Sequence, residues 1–244
     1  MSIRRQKIWQ KRERRDEMEM VKEQLEEVKK NMYEACKRAR RNPDDVTLVA
    51  VSKTKPLSMI QEAETCGQRD FGENKVQEIL QKQPVLPECR WHMIGHLQRN
   101  KVKQVIGKVV LIHSVDSLRL AEQIEEEAKK QQMQVDILLE VNVAKEESKY
   151  GFLPEEVEMA VEKISKLSHV HIQGLMTIAP FVENPEKNRL VFRKLHQIFV
   201  DIQEKNIDNV TMNVLSMGMT GDYEVAIEEG STMIRVGTGI FGTR

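Results

Sequence analysis

The chain has 244 residues, enough for one (β/α)8 barrel with a sizeable core, and its 40% hydrophobic and 31% charged residues are those of an ordinary globular protein. Lys and Arg together equal Asp and Glu at 38 each, so net charge points to neither a nucleic-acid nor a membrane partner. No apolar run is long enough to span a bilayer, the basic start MSIRRQKIWQKRERR lacks the apolar stretch of a secretory signal, and three scattered cysteines (Cys36, Cys66, Cys89) fit a reducing, cytoplasmic setting.

Residues 1–15 read as a solvated basic arm carrying Arg4, Arg5, Lys7, Lys11, Arg12, Arg14 and Arg15. Residues 16–244 read as a single domain, with no repeat, low-complexity tract or long linker. Met18, Val21, Leu25, Val28, Met32 and Ala35 recur at spacings of three and four, which predicts a helix over 16–41 ended by Asn42-Pro43. From Val46 onward, short β-branched runs alternate with longer helical patterns. The runs are 46–52, 69–72, 90–95, 109–114, 135–143, 171–178, 210–216 and 233–237, the second and last being short; 117–132 and 185–206 are clear helical segments between them. This alternation predicts parallel strands with helical crossovers, and runs such as VTLVAV and VDILLEV suit strands buried on both faces. Eight strands would close a single TIM-type (β/α)8 barrel, with the leading helix covering its N-terminal end. From pattern alone, an open doubly wound sheet is the alternative.

In parallel α/β folds, functional side chains gather where strands run out into the following loops. Those ends supply Ser52-Lys53-Thr54-Lys55, Glu73-Asn74, Gly95-His96, Glu140 and Asn142, Met176-Thr177, Ser216-Met217-Gly218 and Arg235-Val236-Gly237-Thr238-Gly239. Lys53 follows the buried run LVAVS, where desolvation would disfavour the ammonium form and leave an amine able to attack an aldehyde. The plainer reading is a lysine whose stem snorkels beside Lys55. Gly237, Gly239 and Gly242 let backbone N–H groups approach an anion, with the Thr238 hydroxyl beside them, and barrels often bind phosphate after strands 7 and 8. Arg235 shares a strand face with Gly237 and could serve a ring nitrogen or a phosphate, or else pair with Glu224, Glu228 or Glu229. His92 and His96 lie in a strand and turn, where their spacing does not converge on a metal, and no cysteine pair accompanies them.

The segments AVSKTKP at 50–56, FGEN-x-VQE at 71–78, WHMIGHLQRNK at 91–101, HSVDS at 113–117, GLMTIAP at 174–180, and LSMGM through GSTMIRVGTGIFG at 215–242 resemble the pyridoxal phosphate homeostasis proteins. They come in the family's order and span 46–244. The resemblance implies a type III pyridoxal-enzyme barrel, similar to the N-terminal domain of alanine racemase, and pyridoxal 5′-phosphate (PLP) as cofactor. It implies that Lys53 holds PLP as a Schiff base, that Arg235 faces the pyridine nitrogen and that Asn74 lies close to the ring. Ser216, Met217, Gly237 and Thr238 match positions around the phosphate. Lys75 stands where the family commonly has tyrosine, Thr220 where it has serine and Gly239 where it has alanine.

The function this implies is a non-enzymatic, cytoplasmic and monomeric PLP-binding protein of PLP homeostasis, with apo PLP-dependent enzymes as clients. The alternative is an amino-acid racemase using the same cofactor. Racemisation needs proton donors on both faces of the substrate adduct, and Lys53 serves one. Alanine racemases take the opposing tyrosine from a C-terminal β domain of the partner subunit, which is not expected after Arg244. The internal candidates are Tyr33, Tyr150 and Tyr223. An arginine at the ring nitrogen also leaves that nitrogen largely unprotonated, a poor electron sink.

Overall fold

The computed structural model describes residues 3–243, with side chains from Glu19 onward. Eight parallel strands pair in sequential order into a closed barrel: β1 Thr47–Val51, β2 Asp70–Glu73, β3 Arg90–Met93, β4 Leu111–Val115, β5 Val135–Glu140, β6 Val170–Met176, β7 Val210–Met219 and β8 Met233–Val236. The open-sheet alternative is thereby removed. The two short runs are true strands, and β8 closes the ring by pairing with both β7 and β1. Helix α1 Ile3–Arg38 precedes β1, and a helix follows each strand in turn: α2 Leu57–Thr65, α3 Val76–Lys82, α4 Val102–Val105, α5 Leu118–Gln131, α6 Val157–Ile164, α7 Arg189–Gln203, α8 Tyr223–Glu228 and α9 Thr238–Phe241.

Three expectations need correction. The helix read over 16–41 begins at Ile3 and ends at Arg38, so the basic stretch from residue 3 is continuous with it; residues 1 and 2 lie outside the described residues. It stops early because Arg40 turns to φ 55°, letting Arg41 N–H reach the Cys36 carbonyl. Nor does α1 cover the end of the barrel. Val21, Leu25, Val28 and Ala35 share one core with Leu48, Ala50, Ile234 and Val236, so α1 lies along the outer faces of β1 and β8. Finally, β7 runs three residues past Ser216, through an irregularity in its pairing with β8 between Ser216 and Met219.

Strand alternation divides two layers of packing. Outward residues such as Ile112, Ile137, Leu139, Ile172 and Leu215 join the helices in the main core. Inside the barrel the apolar layer is small: Val49, Leu111, Leu138, Met176 and Met233, with Val214 against them. Two residues further along four of these strands stand His113, Glu140, Ser216 and Arg235. By the same alternation they form an inward, polar layer nearer the C-terminal mouth. The fold therefore places four buried polar side chains beneath the rim.

Candidate functional site

The rim over β1 and β2 is built around a clamped turn. Ser52 to Lys55 form a tight turn (Lys55 N–H to Ser52 O, 3.1 Å) with Thr54 at φ 62°. That left-handed conformation costs a β-branched residue energy, and partners from α3 and β2 hold it. Glu78 Oε2 accepts from Thr54 N–H at 2.7 Å, and Lys82 Nζ donates to Ser52 O at 2.9 Å. Lys82 also bridges Glu73 (2.8 Å) and Glu78 (2.7 Å), while Ser52 Oγ donates to Glu73 at 2.6 Å. Burial pushes the Glu73 carboxyl up to about 7, with Lys82 and Ser52 pulling it back.

Lys53, at the apex of this turn, is exposed, so the desolvation expected from the preceding apolar run is not supplied by the protein around it. β1 ends at Val51, so the chain has left the strand before Lys53. Lys55 is engaged elsewhere: its Nζ donates to the carbonyls of Phe241 (2.8 Å), Gly242 (2.9 Å) and Thr243 (3.1 Å), where α9 ends. Asn74 is half-buried at the end of β2. Its backbone presses on the next loop: a Cβ at Gly95 would lie 2.5 Å from Asn74 O.

Across the β8–β1 seam, Gly237 and Gly239 turn their N–H groups toward one oxygen. Thr220 Oγ1 accepts from Gly237 N at 3.4 Å and Gly239 N at 3.3 Å, and from Thr238 Oγ1 at 3.2 Å. This donor set is what an anion oxygen needs, with Thr220's hydroxyl as an internal occupant. Side chains would crowd it, since a Cβ at Gly239 would meet Val236 at 3.0 Å and Thr220 at 3.1 Å. Thr220 is itself placed by Asp222, whose Oδ1 accepts from Met219 N at 2.7 Å.

Arg235 is 4% exposed and donates to Ser216 Oγ at 2.6 Å and Thr177 O at 2.8 Å. Burial pushes its guanidinium down to about 10, and Glu140 and Asp222 oppose that. The alternative pairing with Glu224, Glu228 or Glu229 does not occur; Arg38, Arg189 and Arg193 hold those carboxylates. Lys53, Asn74, Ser216, Arg235, Gly237 and Thr238 thus occupy consecutive strand ends, β7–β8–β1–β2, along one arc of the mouth. Met217 is the exception. Its side chain is buried in the outer core that also holds Val225 and Ala226, and its carbonyl accepts from Ser231 Oγ at 2.8 Å.

Motif spacing marks out the rim but assigns no role to Thr220, Glu140, His113 or the Glu73–Lys82 pair. Parity two residues beyond the apolar layer is the signal that finds Glu140 and His113. Burial, and then Asp116, pushes Glu140 up to about 7 despite Arg235. A carboxyl raised in the folded state favours folding fully below its ordinary range near 4.5, and that contribution is lost as pH rises through about 7. We expect Glu140→Gln to flatten part of the alkaline fall in stability, recovering up to about 3 kcal/mol at pH 8. Urea melts at pH 5 and pH 8 check this, and an unchanged pH profile would refute it.

Of the candidate tyrosines, Tyr223 is buried in the α1 core and Tyr33 lies on α1. Tyr150 is 57% exposed and stacks on His96 at 4.0 Å between centroids, with His96 hydrogen-bonded to Asp116 at 3.0 Å. No described helix is long and apolar enough to cross a membrane.

Residues 24–244 match the family model described as alanine racemase, N-terminal domain. The chain is 46% identical over 224 residues to the pyridoxal phosphate homeostasis protein of Aquifex aeolicus, covering 91% of this chain and 97% of that one. It is similar to the solved structure of PipY from Synechococcus elongatus with PLP bound, at TM-score 0.78 and 35% identity over 91% of this chain and 100% of PipY. An alanine racemase of Clostridium difficile shares the fold at TM-score 0.68 and 14% identity, over 93% of this chain and 56% of the racemase.

Proposed function

The chain belongs to the alanine racemase N-terminal-domain family and, within it, to the pyridoxal phosphate homeostasis proteins, and on that footing we propose that it binds PLP at the β7–β2 arc of its mouth. The observation that carries this reading is the cradle of Gly237, Thr238 and Gly239 around a single oxygen, beside a buried arginine. When bound, PLP supplies an aldehyde that condenses reversibly with an amine, releasing water. The chain's residues divide the work. The Gly237–Gly239 cradle takes the phosphate once Thr220's hydroxyl gives way, and Ser216 adds a polar edge. Arg235 donates toward the pyridine nitrogen, and Asn74 lies against the ring. Lys53 provides the amine on a turn fixed by Glu78 and Lys82, which holds the cofactor as a Schiff base.

We read this as storage and release in the cytoplasm and not as turnover. A guanidinium facing the ring nitrogen donates a hydrogen bond without giving up a proton, which keeps the ring a weak electron sink. An exposed lysine also leaves the imine open to water and to competing amines, as handover to apo PLP-dependent enzymes requires. The chain acts as a monomer in this reading. Borohydride reduction of PLP-loaded protein, followed by peptide mass mapping, tests the assignment. We expect one pyridoxyl group on the peptide containing Lys53; labelling confined to another lysine would move the site.

Tyr150 on its His96 stack is the feature that favours the racemase reading. Incubation of loaded protein with L-alanine in deuterated water separates the two. Storage predicts no Lys53-dependent α-deuterium at enzymatic rates, and rapid incorporation would replace it with catalysis.

A further inference from the structure

A continuous chain of buried polar side chains runs through the barrel beneath Arg235. Arg235 Nη1 donates to Ser216 Oγ at 2.6 Å, and Ser216 Oγ lies 3.0 Å from His113 Nδ1. His113 Nε2 lies 3.0 Å from His92 Nδ1, the rings meeting edge-on at 79°. His92 Nε2 lies 3.0 Å from Asp70 Oδ1. Asp70 is gripped by Arg90, which emerges from the strand end away from the mouth. His113 and Ser216 are fully buried, and Asp70 and His92 nearly so.

Donor counting fixes the direction of this chain. A guanidinium can only donate, so Ser216 Oγ accepts from Arg235. The Ser216 hydroxyl proton, sealed from water, then needs an acceptor, and among the described residues the one in reach is His113 Nδ1. His113 must therefore carry its proton on Nε2, which donates to His92 Nδ1. His92 in turn carries its proton on Nε2 and donates to Asp70. Each member donates once toward Asp70, and no buried group is left unpaired. Complete burial keeps His113 neutral, its pKa far below the ordinary histidine value. Asp70 is the negative terminus: burial opposes its charge, but hydrogen bonds from His92 and Arg90 hold its carboxyl below the ordinary range.

From this geometry we infer that Asp70, His92 and His113 are positioning residues, a one-way relay that takes up the Ser216 hydroxyl proton and so fixes the Ser216 rotor against Arg235 at the floor of the mouth. The chain orients Ser216 so that its lone pair faces Arg235. That leaves the remaining Arg235 N–H groups, beyond the one on Thr177 O, aimed at whatever ring occupies the mouth. The relay's effect on PLP rests on the function proposed above, but its internal polarity does not.

The test reads the two separately. Two-bond 1H–15N correlation spectra of cofactor-free protein report each histidine's tautomer, with signals assigned by His92→Gln and His113→Gln. We expect both histidines neutral and protonated on Nε2; His113 protonated on Nδ1, or charged, would overturn the relay. Asp70→Asn should shift the His92 tautomer equilibrium and weaken PLP binding about tenfold, while Asp70→Glu recovers most of the affinity. An unchanged His92 spectrum together with unchanged PLP affinity in a folded Asp70→Asn protein would also overturn it. Should that variant fail to fold, the wild-type tautomers decide alone. If the chain bound no PLP at all, the spectra would still settle the polarity.

Discussion

Lys53→Ala is expected to abolish the imine absorption band that PLP produces on the wild-type chain, while leaving a weaker, non-covalent association. The loss is complete because the rim offers no ready substitute. Lys55 is tethered by three carbonyls at the end of α9 and would have to abandon them to reach an aldehyde. Lys75 is exposed at the start of α3, on the rim over β2 and not on the β1 turn. The phosphate cradle and Arg235 do not depend on Lys53, so PLP should still bind reversibly and be removed by gel filtration. Absorption spectra before and after desalting measure both parts. A Lys53→Ala protein that kept its imine band would relocate the site, and one that lost PLP outright would mean the cradle contributes little. Lys55→Ala is the matching control: it should keep the band and loosen the C-terminal end of α9.

Much of the barrel was legible in the sequence because its strands are bounded, β-branched and buried on both faces. Even DFGE and MIRV, four residues each, pair on both sides, along their whole length with β3 and β1 respectively and at two positions each with β1 and β7. The start of α1 was not legible: residues 3–15 have the Arg, Lys, Gln and Glu that favour helix but lack the apolar period that announces one. Its docking against β1 and β8 depends on tertiary packing that one-dimensional spacing does not hold. Within the site, motif positions such as Arg235 and Gly237 could be placed at the rim by parity alone. Lys53's exposure could not, since it follows from where the chain leaves the barrel. The link from His113 to Ser216 joins residues 103 positions apart, and only the closed ring brings them within 3.0 Å. Thr220's place in the cradle likewise depends on the bend beyond β7.

Lys82→Met should destabilise the fold by about 3 kcal/mol at pH 8 and by clearly less at pH 5. The ammonium of Lys82 is buried between Glu73 and Glu78 and also satisfies the Ser52 carbonyl. Removing one partner of a buried ion pair leaves the other charge stranded, which costs roughly 3–5 kcal/mol when that charge cannot neutralise. Glu73 can neutralise. Its carboxyl already sits at about 7 through burial, and Oε2 has no hydrogen-bond partner among the described residues. Without Lys82 its pKa rises further, so at pH 5 the group is protonated and the penalty shrinks. The sign is the same as for any carboxyl raised on folding: stability is present at low pH and lost as pH rises through the folded value. Adding Glu73→Gln to Lys82→Met should recover much of the loss at pH 8, because the fully buried carboxylate is then gone and the less buried Glu78 still accepts from Thr54 N–H. Equal destabilisation at both pH values, or no recovery in the double variant, would show that Lys82 acts through packing and not charge. The same variant should slow imine formation by Lys53, since the turn that presents it loses the Ser52 contact that fixes its start.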